Sequence, residues 1–267
     1  MAKSKNAIVA MDVSKMPMAS AAEIAAIKTK VGINPPLSAT ALAVGVAAAA
    51  AIKPGKERWP VKTGTDADVE IVKQQIVPAT IEELVRAPRP ATMMDPAKLY
   101  PAFQSKRVTP VETTIWQVEA HIVSIKLEAD GDYHVVLQGA SGEFLVAEIP
   151  SPDPPFVGAT SPFRNNIKQA RAALDKKFSK NMQAADFFPM GKSMVPAKAF
   201  SIAPPPTQAR RFAPVAQDAA PAVAFKIKVT PTKVRITGVG FFDRTHGQTG
   251  GAPNGIELHP VLSLKFS

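Results

Sequence analysis

The sequence predicts a mainly β protein with one helix: an OB-like five-stranded barrel, preceded by an irregular Pro/Ala-rich arm with short helices. Three observations carry this expectation. Alternating apolar residues mark three successive strands over 111–150 and two more over 225–267, with a helical stripe between the groups. The first strand changes apolar phase midway, as a bulged strand does when it bends to serve two sheets. Eighteen of the 26 prolines fall within 1–110 and 180–224, which sets those segments apart from the strands.

In "IWQVEAHIVSIKL" (115–127) the apolar positions run Trp116, Val118, Ala120 and Ile122, then shift to Val123, Ile125 and Leu127. "ADGD" follows as a tight turn, "YHVVLQG" as the second strand and "ASGEFLVAEIP" as a further turn and the third. Ser161 and Pro162 open a helix whose stripe is Phe163, Ile167, Ala170, Leu174 and Phe178. "FKIKVT" and "KVRITGVGFF" read as one long or interrupted fourth strand. "GIELHPVLSLKF" is the fifth, burying Ile256, Leu258, Leu262, Leu264 and Phe266. Three strands, a helix and two strands is the order of an OB-fold; the Pro-rich insertion at 180–224 lengthens the path from helix to fourth strand.

Residues 1–110 read as short helices separated by prolines. Ser20 with Glu23, Thr65 with Asp68, and Thr80 with Glu83 have capping-box spacing before "IAAIKTKV", "DADVEIVKQQI" and "IEELVR". Such an arm has no core of its own, so it and the stretch 180–224 are expected to order on a partner and to leave Ile71, Ile76, Leu84 and Phe212 exposed in an isolated chain. The formal charge of +10 divides as +6 over 1–110, −3 over 111–179, +3 over 180–224 and +4 over 225–267. The basic excess fits an anionic partner or a solvated surface.

Zero cysteines excludes disulfides, thiol catalysis and Cys-based zinc sites. The run "ALAVGVAAAAAI" (41–52) is too short and Ala-rich for a transmembrane helix; it reads as a packed helix, or as the apolar part of a signal peptide. The expected location is therefore cytoplasmic or within an assembly, with export if 41–52 belongs to a signal.

The stretches "RWPVKTGTDAD" (58–68), "VETTIWQVEAHIVSIKLEADGDYHVVLQGASGEFLVAEIP" (111–150) and "VRITGVGFFDRTHGQTGGAPNGIELHPVLSLKF" (234–266) resemble a group of uncharacterised bacterial proteins sharing these blocks. The resemblance is carried by these three blocks and implies no activity.

The expected loop at 244–255 joins strands four and five, at the rim where OB-folds bind oligonucleotides or oligosaccharides. Arg244, His246, Gln248 and Asn254 are its candidate ligand contacts. Glu257 and His259, two apart, share a face of the fifth strand, with Asp243 and His246 nearby. Asp243, His246, Glu257 and His259 could thus pin the loop by hydrogen bonds, hold a divalent metal, or do acid–base chemistry. Their spacing matches no established ligand motif. Asp130 and Asp132 read as a turn in preference to a cation site, and with Glu143 and Glu148 they make the second and third strands acidic, which argues against phosphate. The basic surface is Lys226, Lys228, Lys233 and Arg235 on the fourth strand.

These readings converge on a non-enzymatic binding or assembly module whose basic arm docks on a protein partner or larger complex, with no cofactor. The alternatives are a metal-dependent or acid–base hydrolase or nuclease using the Asp243/His246/Glu257/His259 cluster, and single-stranded nucleic-acid or oligosaccharide binding by the barrel.

Overall fold

The computed structural model describes residues 10–33, 57–93, 101–128, 130–183, 187–189, 223–244 and 250–267. Its architecture is mixed α/β. The strands are β1 (Ile76–Pro78), β2 (Ile115–Leu127), β3 (Tyr133–Gln138), β4 (Phe144–Ile149), β5 (Phe187–Pro189), β6 (Val223–Phe242) and β7 (Ile256–Phe266); the helices are α1 (Ala21–Val31), α2 (Trp59–Thr63), α3 (Ile81–Leu84) and α4 (Arg164–Gln183).

The strands lie in the order β1-β2-β3-β4-β7-β6-β5, and β2 also pairs with β6. Hydrogen bonds therefore ring through five strands, β2, β3, β4, β7 and β6. The ladders differ in length: β2 and β6 share twelve residue pairs, β3 and β4 six, but β4 and β7 only two, Val146 with Glu257 and Ala147 with Leu258. The expected phase slip is present. Both ladders of β2 shift register between Ile122 and Ser124, leaving Val123 out of the pairing.

Alternation directs Val118, Ala120, Ile122, Val135, Leu137, Leu145, Ala147, Ile149 and Leu258 into one buried core. Phe163, just before α4, and Ile167, Ala170, Leu174 and Phe178 within it pack into the same core. Each of its large side chains contributes about 1.5–3 kcal/mol by leaving water. The Ser161 hydroxyl accepts from the Phe163 N–H at 3.2 Å, and regular helix begins at Arg164, two residues later than the sequence predicts.

The described parts of 1–110 depart from the expected exposed arm. Ile76 and Leu84 are buried, and Ile27, Val31, Val69, Val72, Val77 and Ile81 join the core cluster; Ile71 alone of the described expectations is exposed. The reason is cooperative: short capped helices that could not bury a face alone bury one against the ring. Ser20 and Glu23 cap α1, Thr80 and Glu83 cap α3, and Lys28 bridges the helices at 2.7 Å from Glu83. The Thr65/Asp68 box does not form. Asp66 is held by Arg107 at 2.6 Å, and the predicted helix over 66–76 is reduced to one 3-10 turn, Val69–Ile71, before β1. Phe212 and the run 41–52 lie outside the described residues.

Candidate functional site

The functional candidates assemble on the outer face of β3, β4 and β7. Val135, Leu137 and Ala147 point into the core, so His134, Val136, Val146 and Glu148 face the other way. His134 and Glu148 are cross-strand partners, and Glu148 Oε1 lies 3.1 Å from His134 Nδ1. The short β4–β7 ladder sets Glu257 beside Val146 and brings His259 next to Glu148, with His259 Nδ1 2.8 Å from Glu148 Oε2. Asp132, at the end of the β2–β3 turn, places Oδ2 3.5 Å from His259 Nε2.

A lid covers this face. α2 lowers Lys62 onto it, with Nζ 3.8 Å from Glu148 Oε2 and 3.6 Å from Asp243 Oδ1. The Phe241 ring stacks under Arg58 at 4.6 Å, with Lys62 at 5.3 Å and the His259 ring at 5.5 Å. Gly250 brings the β6–β7 connection onto Val136: a Cβ there would lie 2.3 Å from Val136 Cγ1, and the backbone φ is +81°, so glycine is required twice over. Asp132, Glu148, Asp243, Glu257 and His259 are all buried as a result.

Arg58 secures the lid. It is fully buried, yet its guanidinium donates to Glu112 Oε1 at 2.6 Å and Oε2 at 2.7 Å, and to the carbonyls of Phe103, Lys106 and Phe242. Glu112 also accepts from the N–H groups of Val108 and Phe242. Every lone pair of this buried carboxylate is used, which is the condition for holding a charge there.

The inner cluster is less well satisfied. The 2.8 Å approach of His259 to Glu148 is short but misaligned, and both His259 nitrogens, both Asp132 oxygens and Glu257 Oε2 are buried without a hydrogen bond. Burial opposes the charge on Lys62, but Asp243, Glu148, Glu257 and Asp132 outweigh it and hold its pKa well above the ordinary lysine value. Burial also opposes ionisation of Glu148, yet Lys62 and the contacts with His134 and His259 keep it well below the usual carboxylate range. Burial, then Asp130 and Glu148, push Asp132 well up; burial, then Glu148 and Asp243, do the same to Glu257. Burial lowers His259. The cluster thus favours charge on Lys62 and Glu148 and opposes it on Asp132, Glu257 and His259.

The candidates expected from the sequence divide accordingly. Asp243, Glu257 and His259 are brought to one place, as their spacing allowed. His246 and Gln248 lie outside the described residues. Arg244 is half-buried, 3.5 Å from Glu57. Asn254 donates to the carbonyls of Leu84 and Ala87 and accepts from the Ile256 N–H, tying the loop to α3. Lys233 and Arg235 reach Glu119 at 3.8 and 2.7 Å; Lys228 is exposed, and the Lys226 side chain lies outside the described residues. Asp132 and Glu148, expected as part of an acidic exposed surface, are instead inside the cluster, because α2 covers them.

Residue-type reasoning missed Lys62, His134 and Glu148 as site members. Their signal lies only in the fold, which brings the segments 58–68, 130–149 and 241–259 together. Comparison of the chain with protein-family models, curated proteins and solved structures gave no match.

Proposed function

We propose that the protein is a non-enzymatic binding module built on an OB-like barrel. Supporting the barrel reading are the ring of five strands, the bulged first strand of that ring, and α4 between its third and fourth members. The observation that carries the binding reading is a groove of about 390 Å³ beside the β2 irregularity, lined by Val123, Val136, Gln138, Phe144, Lys228 and Gly250. It lies on the outer face of β3 against the β6–β7 connection, where OB barrels take their ligands.

Its chemistry is that of a ring-binding surface. Phe144 is 40% exposed and offers an aromatic platform, Val123 and Val136 an apolar floor, Gln138 an amide and Lys228 a cation. A nucleotide or sugar ring stacked on Phe144, with a polar or anionic group at Lys228, fits that set. The described parts of 1–110 spend their apolar surface on their own barrel, so binding rests on the groove rather than on an arm. The acid–imidazole cluster argues against catalysis, because its described side chains are buried beneath α2.

Fluorescence anisotropy with labelled oligothymidylate and with a labelled oligosaccharide tests this. Saturable binding of one of them is expected, weakened at least about tenfold by Phe144→Ala, since stacking on one aromatic is worth about 1–3 kcal/mol. Binding should leave the ligand intact. Cleavage of either ligand by the parent, abolished in His259→Ala, decides instead for a hydrolase. Failure of both to bind sinks the groove reading.

A further inference from the structure

We propose that Asp132, Glu148 and His259 form a divalent-cation site that staples the β4–β7 seam of the ring. The inference does not rest on the groove. One carboxylate oxygen from each acid and one imidazole nitrogen all lie within 4.8 Å of one another. Ligands about 2.0–2.2 Å from a common metal lie about 3–4 Å apart, so small side-chain rotations suffice to close the shell.

Three further observations point to a cation there. First, both oxygens of Asp132 and the ring nitrogens of His259 are buried without a hydrogen bond, and a metal takes lone pairs from a carboxylate and from one imidazole nitrogen while the other keeps the ring proton. Secondly, acidic groups outnumber basic ones around the cluster. Four carboxylates (Asp132, Glu148, Asp243 and Glu257) surround one ammonium, that of Lys62. Fully ionised, they leave an excess of three negative charges, which a divalent ion reduces to one. Lys62 stands within 4 Å of Glu148 and Asp243, and no lysine or arginine among the described residues comes that close to Asp132. Thirdly, a supporting contact is in place. His134 holds Glu148 Oε1 at 3.1 Å and leaves Oε2 turned towards His259, as outer partners of metal ligands do.

The donor set of one imidazole and two carboxylates suits a borderline first-row ion such as Zn²⁺ or Mn²⁺ better than Mg²⁺, which prefers an all-oxygen shell. The three ligands come from the β2–β3 turn, β4 and β7. A metal there joins the hairpin to the closing strand just where their own ladder has only two residue pairs.

The test uses the full chain, stripped with EDTA and dialysed, then titrated calorimetrically with ZnCl₂, MnCl₂ and MgCl₂ in parallel, with metal content measured after gel filtration. One equivalent of Zn²⁺ per chain is expected. At a hundredfold excess of free ion over Kd, the melting temperature should rise by about 5 °C. Asp132→Asn, close to isosteric, should weaken Zn²⁺ binding at least about 100-fold, and His134→Ala about 10- to 100-fold. If Asp132→Asn does not fold, His259→Gln takes its place in the same titration. Absence of Zn²⁺ and Mn²⁺ binding overturns the proposal. Binding of one equivalent with unchanged affinity in the ligand variant overturns it equally, since the ion then sits elsewhere.

Discussion

Arg58→Met provides a sharp test of how the lid is held. In the parent, Arg58 and Glu112 are both fully buried and joined by two bonds of 2.6 and 2.7 Å. Methionine fills much of the volume but strands the carboxylate, and breaking a buried pair from one side costs about 3–5 kcal/mol. The carbonyls of Phe103, Lys106 and Phe242 also lose a donor. Water can replace some of these, so the loss totals about 5 kcal/mol, against a typical domain stability of about 5–15 kcal/mol. Arg58 also holds a left-handed backbone (φ 52°), and the relief of that strain is not available to methionine either. At about 2–3 °C per kcal/mol for a chain of this size, scanning calorimetry should show a fall of about 10–15 °C. Arg58→Lys keeps the charge but not the fork, and should fall between parent and Met variant. The double variant Arg58→Met/Glu112→Gln should be more stable than Arg58→Met alone, because no unpaired charge remains. A drop below about 3 °C for Arg58→Met, or a double variant less stable than the single, refutes the argument.

Glu82 carries a pH prediction. Burial raises its pKa, but the Ser141 N–H and hydroxyl outweigh this and bring it down to about 2. A depressed carboxylate stabilises the fold above its unfolded value of about 4.5, and that contribution fades as pH falls towards 2. Since Glu82 is largely solvent-screened, Glu82→Gln should cost only about 0.5–1 kcal/mol at pH 7; urea titrations at pH 7 and pH 2.5 check that the cost largely disappears at the lower pH. Gly240→Ala should cost about 1–3 kcal/mol, because a Cβ there would sit 2.4 Å from the Val111 carbonyl and 2.7 Å from Trp116 Nε1; a melting curve matching the parent would show that β6 can move aside. Asn254→Ala leaves the Leu84 and Ala87 carbonyls without their donor and should lose about 1–2 kcal/mol, with faster proteolysis of the 245–255 connection as the second readout.

What could be read from the sequence was what repeats locally. Strand alternation, the slip at Ile122–Val123 and the Phe163–Phe178 stripe all report on residues within one element, and each reappears in the structure. The pairing of Glu257 with His259 was legible for the same reason, as a two-residue spacing on one strand. Lys62 was not. Its partners Glu148 and Asp243 lie 86 and 181 positions away, and nothing in "WPVKT" says which face of which strand it will cover. Arg58 was hidden similarly: an arginine between prolines reads as solvated until its carboxylate partner is known. Burial of the described parts of 1–110 escaped because short capped helices have too few turns to show a periodic face, and their packing surface exists only once the ring has formed.

The two-pair seam between β4 and β7 has a dynamic consequence. A closed band opens where its clasp is shortest, and here twelve pairs hold one junction while two hold another. Local opening should therefore begin at the seam, so that amide protons of Val146, Ala147 and their neighbours on β7 exchange with solvent sooner than those of the β2–β6 ladder. The side chains across the seam, Glu148 against His259, then act as a latch whose strength is set by what they hold. A tighter latch would slow exchange at those amides while leaving the rest of the ring unchanged. The protein could in this way register the occupancy of a sealed cluster as a change in how often its own wall breathes.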